Sequence, residues 1–392
     1  MYMDVHARQM FPSTAPVVAS ELYAVEVAAM SQATLQRIMS EHQRYLTGYQ
    51  GTRAKLRATK LDGLSLARHD LSEADLSGAS LVGADLRGVN LSHASLYCAD
   101  LSDCDLRYAR LDHADLRGAS FRGANLAHAM MDFADLRAAT MLYMGDNIRF
   151  QGNAHDEAPF GAVDFSHTSL RHASFRNAKL DNANFTDALL YGASFRGSRL
   201  RNACLRGAVL SDVELSELNL PAKALRHSLT NPTAAARSRA QALLVQLKAH
   251  HAWFVSGGKK GGPAKLDGED LRPLTDALKG LCLAGLQARN VVAVGVDFSG
   301  CALQAARFED CDLRGTNFYG ADLSGTVFHH TKLGHAEFRN ALIRDLTLCT
   351  GQTVLFGVDI EERPSKTAGR FSNARVQSSA FLAALSTEQG SC

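Results

Sequence analysis

Residues 74–88 read Ala74-Asp75-Leu76-Ser77-Gly78, Ala79-Ser80-Leu81-Val82-Gly83, Ala84-Asp85-Leu86-Arg87-Gly88, one five-residue unit written three times in succession. Let the large apolar residue be position i. It recurs at Leu56, Leu61, Leu66 and Leu71 and on to Leu136 and Met141, about 18 units. Position i−2 is mostly Ala, and position i−1 is mostly Asp, Asn or Ser. A second run, one register out of phase, has its centres at Phe165, Leu170, Phe175, Leu180, Phe185 and onward to Leu220, about 12 units. A third, in another phase, runs Phe298, Leu303, Phe308, Leu313, Phe318, Leu323, Phe328, Leu333, Phe338, Ile343 and Leu348, about 11 units.

A period of five matches neither the 3.6 of an α-helix nor the 2 of a flat strand. A helix would smear these Leu residues around its surface, and a strand would send alternate ones to opposite faces. A chain that turns a corner every five residues points each i and i−2 side chain at a common axis. Small Ala beside large Leu or Phe then lets successive layers interlock. Positions i−1, i+1 and i+2 face water, and Gly at i+2 (Gly78, Gly83, Gly88, Gly118, Gly123) suits a tight corner.

These units closely resemble the pentapeptide-repeat family, whose motif is A(D/N)Lxx, over most of residues 54–220 and 296–350. The resemblance implies an all-β solenoid, a right-handed quadrilateral β-helix with four pentapeptides to a coil. The Phe spacing agrees with a four-sided coil: Phe165 and Phe185, Phe175 and Phe195, and Phe298, Phe318 and Phe338 lie one such coil apart. Core positions are therefore expected at Leu76, Leu86, Leu96, Leu106, Leu116, Phe121, Phe165, Phe175, Phe185, Phe195, Phe298, Phe308, Phe318, Phe328 and Phe338. On the outside, the same arithmetic stacks His93 on His113 in one column with Glu73, Arg117 on Arg137, and Asp181 on Arg201.

The organisation expected is an N-terminal helical cap region (1–53), a first β-helix (54–220) with a loop insertion at 142–160, and a helical connector with a Gly loop (221–262). A second β-helix (263–350) and a C-terminal tail (351–392), serving as a cap or dimerisation helix, complete the chain. Thr34–Leu46 and Ala234–Trp253 read as helices. His42-x-x-Tyr45-Leu46 precedes Gly48, Gly51 and Ala54-Lys55-Leu56, as His250-x-x-Trp253-Phe254 precedes Gly258, Gly261 and Ala264-Lys265-Leu266. A solenoid end exposes apolar core and unpaired edges, so His42, Tyr45, His250 and Trp253 are assigned a capping role. Between Leu271 and Val294 the spacing is irregular, with a five-residue step kept by Leu281, Leu286 and Val291. A short helix is expected near Ala374–Leu385.

No chemistry stands out. The 15 His are scattered, and a Glu73–His93–His113 ladder on one flat face does not enclose an ion. The Gly257–Gly262 loop with Lys259 and Lys260 lacks a phosphate-loop signature, and there is no GxSxG or SxxK. The eight Cys form no CxxC pair and read as reduced and structural, which fits a reducing compartment and a cytoplasmic location. No catalytic, cofactor or metal site is expected. The chain is 392 residues long with a net charge of +2 and has no run of 18 apolar residues, so neither a DNA-coating protein nor a membrane span is indicated.

The resemblance permits one specific role, because some family members imitate duplex DNA and bind DNA gyrase. Residues 54–141 hold ten basic against twelve acidic residues, too balanced for an acidic mimic. The expected function is a non-catalytic bacterial scaffold presenting a rigid surface to an unidentified protein partner, with nucleic acid disfavoured and homodimerisation through the tail compatible. Tyr97, Tyr108, Tyr191 and Tyr319 suit a protein interface, and the Leu142–Pro159 loop, the connector and the tail are the expected contact elements. The alternatives are a gyrase modulator and a ligand sensor built on the connector.

Overall fold

A computed structural model describes residues 30–139, 162–218 and 220–347, with 353–354, 357–359 and 375–376. The expected loop at 142–160 and Leu348 lie outside the described residues.

The unit of structure can be followed through one pentapeptide. Leu76 N–H donates to Ser95 C=O of the next coil (2.7 Å), and Asp75 N–H donates to Ala54 C=O of the previous one (3.0 Å). Gly78 N–H donates to Tyr97 C=O (2.8 Å), and Ala79 N–H closes the turn on Leu76 C=O (3.0 Å). One N–H is left, that of Ser77, and it donates to the Asp75 side chain (3.1 Å). All five backbone donors are thus satisfied, as buried or half-buried peptide groups require. The preference for Asp or Asn at i−1 follows, since its side-chain oxygen takes the N–H of i+1. Asp70 with Ser72 and Asn90 with Ser92 repeat the contact.

Bridges between i−1 residues set the coil at 20 residues: Lys55 pairs with Asp75, Asp75 with Ser95, Ser95 with Asp115 and Asp115 with Asp135, all parallel. The ladder then crosses the insertion without a break, Ser120 pairing with Asp164 and Met130 with Ser174. The chain is therefore a β-helix solenoid. The repeat resumes on the far side of 140–161 in a different phase, with Asp164 at the position that follows Ser120 in the column.

The described core falls into two hydrophobic clusters. The first runs from Leu35 to Val213 and includes Leu76, Leu86, Leu96, Leu106, Leu116, Phe121, Phe165, Phe175, Phe185 and Phe195, all buried. The second runs from Leu243 to Ile343 and includes Phe298, Phe308, Phe318, Phe328 and Phe338. Phe rings one coil apart stack at 5.0 Å (Phe165 on Phe185) and 5.5 Å (Phe298 on Phe318). Phe121 stacks on Phe165 at 5.0 Å across the insertion. Cys104, Cys301 and Cys311 occupy i−2 positions as free buried thiols, the last two pushed up to about 11 by burial. Each thiol donates to the carbonyl of a core residue in the coil before, Cys104 to Leu81 at 2.8 Å.

In the second cluster three short parallel strands, β1 (Gln287–Arg289), β2 (Arg307–Glu309) and β3 (Val327–His329), lie in one register, Ala288 beside Phe308 beside Phe328. This register places the residues of 271–294. The row Leu281, Leu286 and Val291 continues to Val296 as position i−2, while Leu283, Ala288 and Ala293 hold position i. At Leu286/Ala288 and Val291/Ala293 the large residue stands at i−2 and the small one at i, whereas Leu281 and Leu283 are both large. The first coil of this cluster is two residues longer, Lys265 pairing with Gln287, because Arg272–Leu274 forms a 3-10 turn.

Two further boundaries differ from the sequence reading. The second run stops at Leu210, since Leu215–Leu218 turns into a 3-10 helix, and the last coil closes at Leu229, which pairs with Val209. The connector thus begins about ten residues later than 221. In the tail, Gly357–Asp359 adds to β3, and Arg375–Val376 pairs as a strand with Leu342–Ile343, which overturns a helix at those two positions. The other tail residues of that expected helix lie outside the described residues. Among the described residues there are two α-helices, α1 (Gln32–Leu46) and α2 (Ala234–Val255), N-capped by Ser31 and Thr233.

The two clusters meet along a polar seam. The Arg314 guanidinium, with only 3% of the side chain exposed, forks onto Asp312 (2.6 and 2.8 Å) and reaches across to the carbonyls of Gly207 (2.8 Å) and Asp187 (3.0 Å). Lys332 pairs with Asp187 (3.0 Å), Arg171 donates to Gly315 C=O (2.8 Å), and His335 donates to His167 C=O (2.5 Å). Arg272 reaches Thr230 C=O at 2.7 Å. Coils at 167, 187, 207 and 230 thus meet coils at 335, 332, 314 and 272, so the two stacks run alongside each other in opposite directions. Leu189 and Val209, apolar where the repeat puts polar residues, are each 1% exposed in this seam.

Arg314→Met keeps the stem but strands the carboxylate and two carbonyls. Loss of one member of a buried pair costs about 3 kcal/mol. Denaturant unfolding should show a loss of that size, with faster proteolysis of the connector. An unchanged midpoint would mean the seam contributes nothing.

Candidate interaction face and capping histidines

Every fifth residue stands at a corner with φ near +60°. Gly takes this conformation without strain, and His, Asn and Asp tolerate it, while a bulky side chain there is a steric outlier. Tyr108 (φ 61°) and Phe133 (φ 61°) are such residues. They belong to two neighbouring corners of the first stack. On one corner Tyr108, His128 and His172 stack in succession at 4.9 and 5.2 Å, and Tyr191 meets His172 edge-on at 5.4 Å. On the next, His93, His113 and Phe133 stack at 4.8 and 4.9 Å with rings within 3° of parallel. The expected Glu73–His93–His113 column thus continues into an aromatic ring, and among the described residues no group of His, Cys, Asp or Glu is arranged to hold a metal ion.

The face between these corners carries Asp70, Asn90, Arg110, Met130 and Ser174 in one column. Its charges are compensated: Asp70 accepts from Asn90 (3.0 Å), and Arg110 approaches Asp112 (3.5 Å). Its rims are apolar and exposed, Tyr108 by 63% and Phe133 by 52%, and Met130 in the column between them is 40% exposed. Burial, with His128 and Arg171 beside it, lowers the His172 pKa, so the His172 ring is neutral at neutral pH. Tyr97, one coil side away, carries the Arg117 guanidinium over its ring at 5.2 Å. Tyr319, also exposed, lies in the second cluster and bonds Asn340 (2.7 Å), so it does not join this face.

The two flanking faces, with Asp85 and Asp105 on one and Asp115 and Asp135 on the other, show what these acidic residues do. Arg87, Arg107, Arg117 and Arg137 each fork onto the Asp two residues before, at 2.6–2.7 Å for the closer contact. The Arg87 guanidinium holds the Asp85 carboxyl below the usual range. These four carboxylates are neutralised in place.

The four residues assigned to capping sit at the starts of the two clusters. His42 is fully buried: Nδ1 accepts Ala54 N–H (3.1 Å) and Nε2 faces Ser72 C=O (2.9 Å). His250 repeats this with Ala264 N–H (2.9 Å) and Ala284 C=O (3.0 Å). A peptide N–H only donates, so Nδ1 must be the acceptor and Nε2 the donor, and both rings are neutral. Tyr45 stacks on His42 at 5.8 Å and reaches Glu73 (3.4 Å), while Trp253 tilts over His250 at 5.8 Å. Leu35 and Met39 of α1, and Leu243 and Leu247 of α2, join the cores they cover.

The apolar corner residues were legible as Tyr and Phe out of place at i+2. The seam was legible too, as Leu189 and Val209 at i−1, but it escaped a reading that looked only for the repeat. Nothing in the sequence pairs Arg314 with Gly207.

The profile of the pentapeptide repeats matches in eight copies, over 52–88, 70–107, 104–141, 160–197, 193–221 and 294–329. The chain belongs to the pentapeptide-repeat family. It is similar to HetL, a pentapeptide repeat protein involved in heterocyst differentiation regulation in the cyanobacterium Nostoc sp. strain PCC 7120, at 18% identity over 82% of this chain and 99% of that one, TM-score 0.25. Full-length QnrB1, a plasmid-mediated fluoroquinolone resistance protein, is similar at 21% identity over 47% of this chain and 92% of that one, TM-score 0.23. A pentapeptide repeat protein of the Arabidopsis thaliana thylakoid lumen is similar at 28% identity over 24% of this chain and 71% of that one, TM-score 0.20. No curated protein matches the chain.

Two outcomes follow. Left-handed strain at a bulky residue costs about 1–2 kcal/mol, and ring stacking returns about 0.5–1.5 kcal/mol. Tyr108→Gly and Phe133→Gly should therefore leave thermal stability within about 1 kcal/mol of the parent. A larger loss in calorimetry would make the rings structural. At the caps, burial is the main cause lowering the pKa of His42 and His250 from 6.5. Below pH 6.5 the unfolded chain binds protons that the folded caps exclude, so stability is lost as pH falls. The drop in melting temperature from pH 7.5 to 5 should be smaller in His42→Gln/His250→Gln than in the parent; equal drops would refute it.

Proposed function

We propose that the chain is a non-catalytic interaction scaffold made of two right-handed quadrilateral β-helix modules, each started by a helical cap, and that it presents the face between the Tyr108 and Phe133 corners to a protein partner. The reading rests on one observation: exposed aromatic rings at Tyr108 and Phe133 occupy left-handed backbone positions that strain a bulky side chain. A rigid face with a compensated polar centre and aromatic rims matches the composition of protein interfaces, where Tyr, Phe and Met are enriched. Because the solenoid holds the rings in place before contact, little side-chain order is lost on binding.

The modules are taken as 54–229 and 263–350, with 1–53 and the remaining connector as caps. A reducing, cytoplasmic location fits the buried thiols at Cys104, Cys301 and Cys311. The DNA-mimic reading is weakened, since a mimic needs an unbroken anionic strip and the Asp columns carry their own Arg.

The test compares chemical cross-linking in host lysate by the parent and by Tyr108→Gly/Phe133→Gly. A specific partner should be captured by the parent and lost from the equally stable variant. Retention of every captured protein by the variant would sink the assignment of this face. Altered supercoiling by purified gyrase, insensitive to the two substitutions, would restore the mimic.

A further inference from the structure

Between Glu217 and Asp267 there are eight Lys and Arg and no Asp or Glu, in a chain whose net charge is +2. The rest of the protein is accordingly acidic, and the positive charge is concentrated on the connector. Of these eight residues, Arg239 pairs with Glu269 at 2.5 Å.

The end of α2 gives this charge a shape. The helix stops as Ser256 N–H donates to Ala252 C=O (3.0 Å), Gly257 N–H to Phe254 C=O (3.1 Å) and Gly258 N–H to Trp253 C=O (2.8 Å). The chain then folds back on the last turn: Lys260 N–H donates to Ser256 Oγ (2.8 Å) and Gly262 N–H to Ala249 C=O (3.3 Å). Gly261, at φ +79°, passes so close to the Ala249 carbonyl that a Cβ there would collide with it. Lys259 and Lys260 are thereby held beside the helix end instead of trailing from it. That end is apolar and open: Phe254 is 48% exposed and Val255 67%. Val245, about 15 Å earlier along α2, is also exposed.

Capping does not require any of this. α1 performs the equivalent contacts with Leu46 and Thr47 where α2 has Phe254 and Val255. Its return to the solenoid spans 12 residues from His42 to Ala54, against 14 from His250 to Ala264, and the longer loop is the one with the lysine pair. An aromatic and a valine at a helix end, flanked by lysines and far from any carboxylate in sequence, match the two signals of peripheral membrane attachment. The apolar tip enters the interface, and the basic surround is drawn to anionic headgroups. Phosphate contacts on nucleic acid would use the lysines but leave exposed Val245 and Val255 without a partner.

We propose that the C-terminal end of α2 and its Gly-Lys loop dock on an anionic lipid surface, Phe254 and Val255 inserting and Lys259 and Lys260 contacting headgroups. This site is independent of the aromatic face, and in combination the two would hold a partner at a membrane.

The test is co-sedimentation of the full chain with phosphatidylcholine vesicles, with and without about one-third phosphatidylserine. The parent should bind the anionic vesicles, release them at high salt, and leave neutral ones unbound. Phe254→Ser/Val255→Ser and, separately, Lys259→Glu/Lys260→Glu should each weaken binding by about tenfold or more with an unchanged thermal melt. No binding to anionic vesicles would overturn the proposal, as would equal binding to neutral ones. So would Phe254→Ser/Val255→Ser binding as well as the parent, or duplex DNA displacing the vesicles.

Discussion

A left-handed backbone corner at every fifth residue is the constraint from which the rest of this protein follows. The corner turns the chain through the coil, and it aligns the N–H and C=O groups on either side with those of the coils above and below. Four of the five donors in each unit are consumed by that geometry. The remaining one, at i+1, points away from the ladder and must find an acceptor in the side chains. Asp and Asn at i−1 are therefore part of the backbone's own accounting. Where the residue at i−1 is Ser80, the acceptor is borrowed from the coil before, Asp62 receiving Val82 N–H at 3.1 Å. The Arg at i+1 that so often accompanies the Asp then neutralises a carboxylate already fixed in place.

How much of this was legible depends on whether the determinant is periodic. The corner at every fifth residue follows from spacing, and the 20-residue coil that the family resemblance implies agrees with the Phe spacing, because a repeat confronts every residue of one class with the same surroundings. The role of Asp at i−1 was misread as simple exposure. A sequence shows that a position is polar, not which peptide group it must satisfy. The row Leu281, Leu286 and Val291 shows its five-residue step in the sequence but not its place in the unit, for a related reason. Large at i with small at i−2, and small at i with large at i−2, fill the same volume, and only the hydrogen-bond register tells them apart. The closing of the last coil at Leu229 was hidden by a detour through two 3-10 turns.

Contacts between non-equivalent coils were legible least. Arg314 reads as one more Arg after an Asp, yet its fork also spans to the carbonyls of Gly207 and Asp187. What distinguishes it is its opposite number, and no local pattern announces that. The candidate face lies between these extremes. Columns at 20-residue spacing could be drawn from the sequence, and His93 over His113 was. Continuing the column to Phe133, or from Tyr108 to His172 across the insertion, needed the register that the ladder supplies.

In a repeat protein a departure from the repeat carries information that the same residue would lack elsewhere. Leu189 and Val209 break the polar rule at i−1, and they are buried against the second cluster. Tyr108 and Phe133 break the rule at i+2 in the same sense, with the difference that they remain exposed. Phe254 and Val255 depart in turn from the other copy of the cap, where Thr47 stands in place of the valine. The first pair shows that an apolar exception on this solenoid can mark a contact surface. The strain at Tyr108 and Phe133 and the concentrated charge around Phe254 argue against indifference at the other two. Folding supplies a reason for each residue that obeys the repeat; for these exceptions it supplies none, and binding is the remaining physical use for an exposed ring or valine held so firmly in place.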